Sequence, residues 1–259
     1  MKKLLLILLA LCFLSSLSTG AQEYDKADPS TDFGARAAAG VDWKIAKGLH
    51  LAFDEELRFA DTLGSFSKAY SNFGLSYKIA KNTKIALGYS FIEDYEKKAK
   101  HRVSFAIIES FPFGDWKLSV KEKIQMTNKA YEINSFEKVR NLVQLKSSAK
   151  IEYDIPFSSL IPYFSVELRN AFNGVNPESL AKDKNEAGTV KYNHAFIDRI
   201  QLTLGTEWQI NSSNYLDLYI LWESERGLSI DASASGTFKS AIWEPENMLS
   251  IGIAYEFAL

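Results

Sequence analysis

Along most of this chain apolar residues recur at every second position. Phe33, Ala35, Ala37, Ala39, Val41, Trp43 and Ile45 share one parity, while Asp32, Arg36, Asp42 and Lys44 share the other. A period of two belongs to the β-strand, whose successive side chains point to opposite faces. After "AKG" the pattern resumes with Leu49, Leu51, Phe53, Leu57 and Phe59, opposite His50, Asp54, Glu56 and Arg58. After "DTLGSFSK" come Phe73, Leu75, Tyr77 and Ile79, then "AKN", then Ile85, Leu87, Tyr89 and Phe91. The echo between "WKIAKGLHLAF" and "YKIAKNTKIALGY" predicts a repeated hairpin. Gly48 and Asn82 are expected to supply the turn residue with positive φ.

The alternation continues through Val103–Phe111, Trp116–Met126, Val143–Tyr153, Phe164–Leu168, Ile200–Ile210 and Leu216–Trp222, and ends in "IGIAYEFAL", Ile251 to Leu259. These are eleven clear runs, each about as long as a tilted strand that crosses a bilayer. Breaks near Lys47, Lys81, Gly114, Ser158 and Ser212 are tight. Those near Gly64, Lys97, Lys129, 175–192 and 227–247 are longer and polar. Short turns at one end and long loops at the other predict a transmembrane antiparallel up-and-down β-barrel. Single-chain bacterial barrels carry even strand numbers. Twelve strands are therefore predicted and ten are the alternative, with either a short strand within 22–30 or an N-terminal piece through the lumen. The last strand is expected to pair with the first, because an open edge in hydrocarbon leaves backbone groups unpaired.

Aromatic residues sharpen the membrane reading. Trp43, Tyr77, Trp116, Tyr153, Trp208, Tyr255 and Phe257 fall at the short-turn ends of the apolar parity, and Phe33, Phe59, Phe91 and Trp222 toward the opposite ends. Two girdles bounding an apolar band are what the two bilayer interfaces select. A soluble lipocalin-like barrel or sandwich, the alternative, turns its apolar parity inward and has no reason to sort aromatics into two levels.

The first residues, "MKKLLLILLALCFLSSLSTGAQ", read as a secretory signal with cleavage after Ala21. That divides the chain into a signal peptide over 1–21 and one barrel domain over 22–259. Cys12 is the single cysteine. A lipid anchor there is discounted because Leu11 stands where a small residue is needed. The mature chain then has no thiol for a disulfide, a thiolate metal site or a nucleophile. Loss of Lys2 and Lys3 takes the formal charge from −2 to −4, which makes nucleic acid a poor partner.

The polar parity carries the candidate chemistry. Arg36, Asp42, Asp54, Glu56, Arg58, Arg102, Lys121, Lys123, Arg140, Lys146, Glu167, Arg169, Arg199, Glu207 and Asp217 are expected to face the lumen. There they can interlock as a plug or line a narrow aqueous path. Glu55, Glu109 and Glu122 carry the lipid-facing parity, where charge is costly; a bulge at "DEE" is expected to turn Glu55 inward. An enzyme needs a nucleophile and a base on one face. His101 and Ser104 have opposite parities, and His50 and His194 lie elsewhere. No catalytic residue, metal site or cofactor is assigned. The segment 170–193 is the longest without alternation, and is expected to be a loop that folds in or projects.

The run "LHLAFDEELRFADTLGSFSKAYSNFGLSYKIAKNTKIALGYSF" resembles the outer-membrane family of domain of unknown function 2490. The likeness rests on "EELRF" followed by "GLSYKIAKNTKIALGY". The resemblance implies a Gram-negative outer-membrane barrel and brings no activity with it. The C-terminal alternation likewise resembles the signature read by the barrel-assembly machinery, although Ala258 and Leu259 follow the last aromatic. The expected partners are outer-membrane lipid, lipopolysaccharide and that machinery. The expected function is a narrow passive pore for small polar solutes or a structural barrel. The alternative is a lipid-modifying enzyme like outer-membrane phospholipase A in architecture only.

Overall fold

The computed structural model describes residues 30–94, 99–128, 141–172, 196–232 and 238–259. The segment 1–21, read above as a signal, and most of 22–30 lie outside them, as do Arg140, His194 and most of 170–193. The strands are β1 (Ser30–Ala46), β2 (Leu49–Ala60), β3 (Ser65–Lys78), β4 (Thr83–Asp94), β5 (Lys100–Phe113) and β6 (Trp116–Thr127). They continue as β7 (Leu142–Tyr153), β8 (Leu160–Ala171), β9 (Phe196–Gln209), β10 (Asn214–Ala232) and β11 (Phe238–Ala258). Each pairs with its sequence neighbours, and β1 pairs with β11 to close a barrel.

Among the described residues the closed barrel has eleven strands, which corrects the expected twelve or ten. First and last strands do pair, but the pair is parallel, from Ser30↔Glu246 to Asp42↔Ala258. Both strands run from the loop end to the short-turn end, so no other closure is open to an odd count. A parallel ladder satisfies the edge groups as an antiparallel one does, which makes a twelfth strand unnecessary. Two backbone bonds carry the seam to the last residue: Leu259 N–H donates to the Asp42 carbonyl at 2.8 Å, and Lys44 N–H to the Leu259 carbonyl at 3.0 Å.

The connections also differ from expectation. Much of the loop read over 227–247 is ladder, because β10 and β11 stay paired from Arg226↔Pro245 to Ala232↔Phe238. β9 accompanies β10 only as far as Glu225, and β1 meets β11 only from Glu246. Among the described residues the outer part of this hairpin is therefore two-stranded. The connection at Gly64 is a compact turn over residues 61–64 in which Asp61, Thr62 and Leu63 have φ of 51°, 54° and 70°. The Asp32 carboxylate holds it, accepting from the Asp61 N–H at 3.0 Å and the Thr62 N–H at 3.3 Å. Length asymmetry is thus carried mainly by 128–141 and 172–195. Gly48 has the expected positive φ of 77°, whereas Asn82 does not adopt one.

The two faces are chemically opposite. Outward residues include Trp43, Phe73, Leu87, Phe105, Ile124, Leu204, Ile220 and Ile253, all exposed. Arg36, Gln125, Gln144, Arg169, Arg199 and Glu223 are among the most buried. The register runs unbroken through Ala39↔Glu55 and Glu55↔Ser71, so no bulge turns Glu55 inward and it stays on the outer wall.

Candidate functional site in the barrel lumen

Alternation puts one residue in two inside, and several of those positions are glycine. Tyr219 on β10 stands directly opposite Gly252 on β11, and a Cβ on Gly252 would lie 2.0 Å from the Tyr219 ring. Tyr163 and Gly205 repeat the arrangement across β8 and β9, at 2.6 Å. Each glycine lets a tyrosine ring lie flat over its strand, a covering that protects a bare backbone. The Tyr163 hydroxyl then reaches past β9 and donates to Asp217 Oδ2 at 2.9 Å, while Lys150 Nζ sits 4.1 Å from its ring centre.

Arg36 uses the space over the same glycine strand. Its Nη2 reaches past β11 to Glu223 Oε2 on β10 at 3.4 Å. From Glu223 an ion-pair chain runs around the wall. Arg199 Nη1 meets Glu223 Oε2 at 3.2 Å, Arg199 Nη2 donates to Glu167 Oε1 at 2.6 Å, and Lys146 Nζ donates to the same oxygen at 2.9 Å. A second layer joins Gln125 to Gln144 at 2.7 Å, Gln144 to Asp198 at 3.0 Å, Asp198 to Arg169 at 2.9 Å, and Arg169 to Glu225 at 2.6 Å.

Underneath this network lies a row of like charges. Lys123↔Lys146, Lys146↔Arg169 and Arg169↔Arg199 are direct register partners, so four adjacent strands present four cations side by side. Like charges directly opposite are destabilising. The interleaved carboxylates of Glu167, Asp198, Glu223 and Glu225 offset that repulsion. Asp198 reaches the row because of a bulge: Arg169 pairs with Arg199 and Asn170 with Ile197, leaving Asp198 unpaired and free to turn inward.

The network divides two cavities. An upper one of about 240 Å³, toward the loop end, is lined by Lys68, Tyr70, Lys100, Arg102, Arg169 and Glu225 among others. A lower one of about 350 Å³ is lined by Glu56, Lys150, Tyr163, Glu167, Asp217 and Tyr219 among others. Arg36, Arg58, Lys146 and Arg199 line both, and so form a cationic belt where the two meet. Arg58 is pinned by Glu56 and stacks over Tyr70 at 4.3 Å from the ring centre.

The remaining candidates take these places. Glu207 pairs with Lys150 in the lower part, Asp54 accepts from Asn72 at 2.8 Å, and Asp42 meets His50 Nδ1 at 2.7 Å. Lys121 and Lys123 share the face of Ser148 and Lys146 and make no ion pair among the described residues. Arg140 lies outside the described residues. Three acidic partners of the ion-pair network escaped the sequence reading. Glu223 and Glu225 continue the parity of Asp217 beyond Trp222, where the strand was expected to end, so a longer run would have found them. Asp198 has the outward parity, and no pattern announces its bulge.

On the outer wall Trp43, Tyr77, Trp116, Trp208, Trp222 and Tyr255 are exposed, with Tyr153 and Phe257 half-buried. Trp116 and Tyr153 are register partners with ring centres 4.6 Å apart. Glu109 accepts from Thr83 Oγ1 at 2.9 Å and Glu122 from Ser147 Oγ at 2.6 Å, so each outward carboxylate meets a hydroxyl on a neighbouring strand. His101, also outside, meets the Tyr89 hydroxyl at 2.7 Å, and Ser104 faces inward toward Gly88.

A family model described as "Protein of unknown function (DUF2490)" matches residues 37–233, from the middle of β1 to the end of β10. No curated protein matches the chain.

Proposed function

From the premise that the chain belongs to the DUF2490 family, whose description names no activity, we propose an exported outer-membrane barrel, residues 22–259, that forms a narrow passive path for small polar solutes. The observation that carries this reading is the inversion of the barrel. Leu204, Leu87 and Ile220 are 63%, 57% and 53% exposed outside, while Arg36 and Arg199 are each 6% exposed inside. Exposed apolar area costs roughly 25 cal/mol per Å² in water, and soluble monomers rarely show apolar patches beyond a few hundred Å². Lipid around the wall removes that cost, and water in the two cavities solvates the lumen charges. The aromatic girdle at the short-turn end supports the same setting.

The belt makes the path narrow. Four cations tied to carboxylates let small hydrated solutes through only as far as those side chains yield. The purified protein in planar bilayers should give discrete conductance steps. A folded, membrane-inserted barrel with no conductance would leave it a structural element. Among the described residues His101 and Ser104, the pair weighed for a lipid hydrolase, stand on opposite faces of β5.

A further inference from the structure

We propose that the upper cavity is a binding site for a compact oxyanion carrying two negative charges, of the chemistry of inorganic phosphate. The inference rests on the reading of the lumen as a solute path for the route by which the anion arrives. Nine of the lining residues are Arg or Lys and three are Asp or Glu. Setting aside Arg226 at the rim leaves eight cations, and these answer to six carboxylates: the lining Asp94, Glu223 and Glu225, and Glu56, Glu167 and Asp198, which pair with lining cations from just beyond. Among the described residues two positive charges remain uncompensated. They are those of Lys68 and Arg102, neither of which makes an ion pair among the described residues; Arg102 only donates its Nε to Thr127 Oγ1 at 3.0 Å.

The donors at the cavity floor are also unspent. Arg36 Nε and Arg199 Nε are buried with no hydrogen-bond partner, on residues each 6% exposed. A buried donor without a partner is costly, and guanidinium forks match the oxygens of phosphate. The cavity holds about eight waters' worth of space, enough for a phosphate-sized ion. A bound dianion would take the surplus charge of Lys68 and Arg102 from above and offer oxygens to the belt from below. The carboxylates already present hold the belt together but leave these particular groups unanswered.

The test is phosphate binding to the full mature chain folded in detergent, followed by calorimetry in a chloride background above pH 7.5, with bilayer conductance recorded separately. Wild type should bind inorganic phosphate saturably, and the Lys68→Gln/Arg102→Gln double variant at least tenfold more weakly. Lys84→Gln/Lys121→Gln removes the same total charge from residues that do not line the cavity, and should bind within twofold of wild type. Neither pair breaks an ion pair among the described residues, so both variants should keep the heat-modifiable mobility of a folded barrel. Absent saturable binding, or equal weakening in both double variants, overturns the site. Conductance without phosphate binding retires this inference and leaves the pore standing. Binding without conductance keeps the site and retires the pore.

Discussion

The ring of Tyr219 occupies the space that a side chain on Gly252 would need. A Cβ there would stand 2.0 Å from one ring carbon and 2.2 Å from another. The two residues face each other across β10 and β11, and Gly252 is itself the seam partner of Arg36 on β1. Gly252→Ala should therefore destabilise the barrel by about 1–3 kcal/mol, the usual cost of overpacking. Tyr219→Ala in the same chain should recover part of the loss. Urea unfolding of the two single variants and the double variant would measure the coupling, which should be non-additive.

Glu223 holds two guanidinium groups at once, Arg36 at 3.4 Å and Arg199 at 3.2 Å. Removing one partner of a buried ion pair costs roughly 3–5 kcal/mol because a charge is left uncompensated. Glu223→Gln should lose a sizeable part of that in unfolding free energy. In bilayers it should also shift the reversal potential toward anion preference under a salt gradient, since the belt gains a net positive charge.

The turn over residues 61–64 is strained, and the strain has a named brace. Non-glycine residues in the left-handed region cost roughly 1–2 kcal/mol each, and Asp61, Thr62 and Leu63 all sit there. Leu63 is 44% exposed, so little burial is lost when it is shortened. Leu63→Gly should stabilise the fold by about 0.5–1 kcal/mol. Asp32→Ala, which strips both turn amides of their acceptor, should destabilise it by about 1–2 kcal/mol. Denaturant midpoints would show the two substitutions moving in opposite directions.

Ile253 and Ala254 are neighbours on opposite faces. Ile253 is 45% exposed outside, and Ala254 pairs in register with Asp217, whose Oδ1 is buried without a partner. Ile253→Arg should impair folding into bilayers by about 2–4 kcal/mol if it lies near the midplane. Ala254→Arg should be tolerated far better, because the lumen offers it a carboxylate. Folding yield into vesicles, read by heat-modifiable mobility, distinguishes the two.

Much of the barrel was legible in the chain because a period of two depends only on strand geometry. The pairing of Ile251–Leu259 with the first strand followed from the need to close every edge. Strand number was misread because the even-number habit outweighed the eleven visible runs, and a parallel seam leaves no mark on local pattern. The lumen charges could be sorted to one face by parity, but parity says nothing of partners. Arg36 meets Glu223 only because Gly252 leaves the intervening strand bare. Asp198 joins Arg169 only because an unpaired residue reverses its face. Such meetings depend on register and barrel curvature, which sequence spacing does not record. Glu122 carries the outward parity without any bulge, and what answers it, Ser147, is a register partner on the next strand.

The central claim is that the apolar wall faces lipid and the charged wall faces water. Cys12 is the single cysteine of the chain, so with Cys12→Ser the protein accepts single cysteines elsewhere without interference. A nitroxide scan along β11 from Leu249 to Phe257, in lipid vesicles, tests the claim most directly. Labels at Leu249, Ile251 and Ile253 should collide with oxygen and be shielded from a water-soluble nickel complex. Those at Ala254 and Glu256 should show the reverse, giving a period of two in both profiles; Gly252 carries no label, because the Tyr219 ring fills its space. Collisions with the nickel complex at Ile251 and Ile253 as frequent as at Ala254 and Glu256 would contradict the membrane barrel and the solute path built on it.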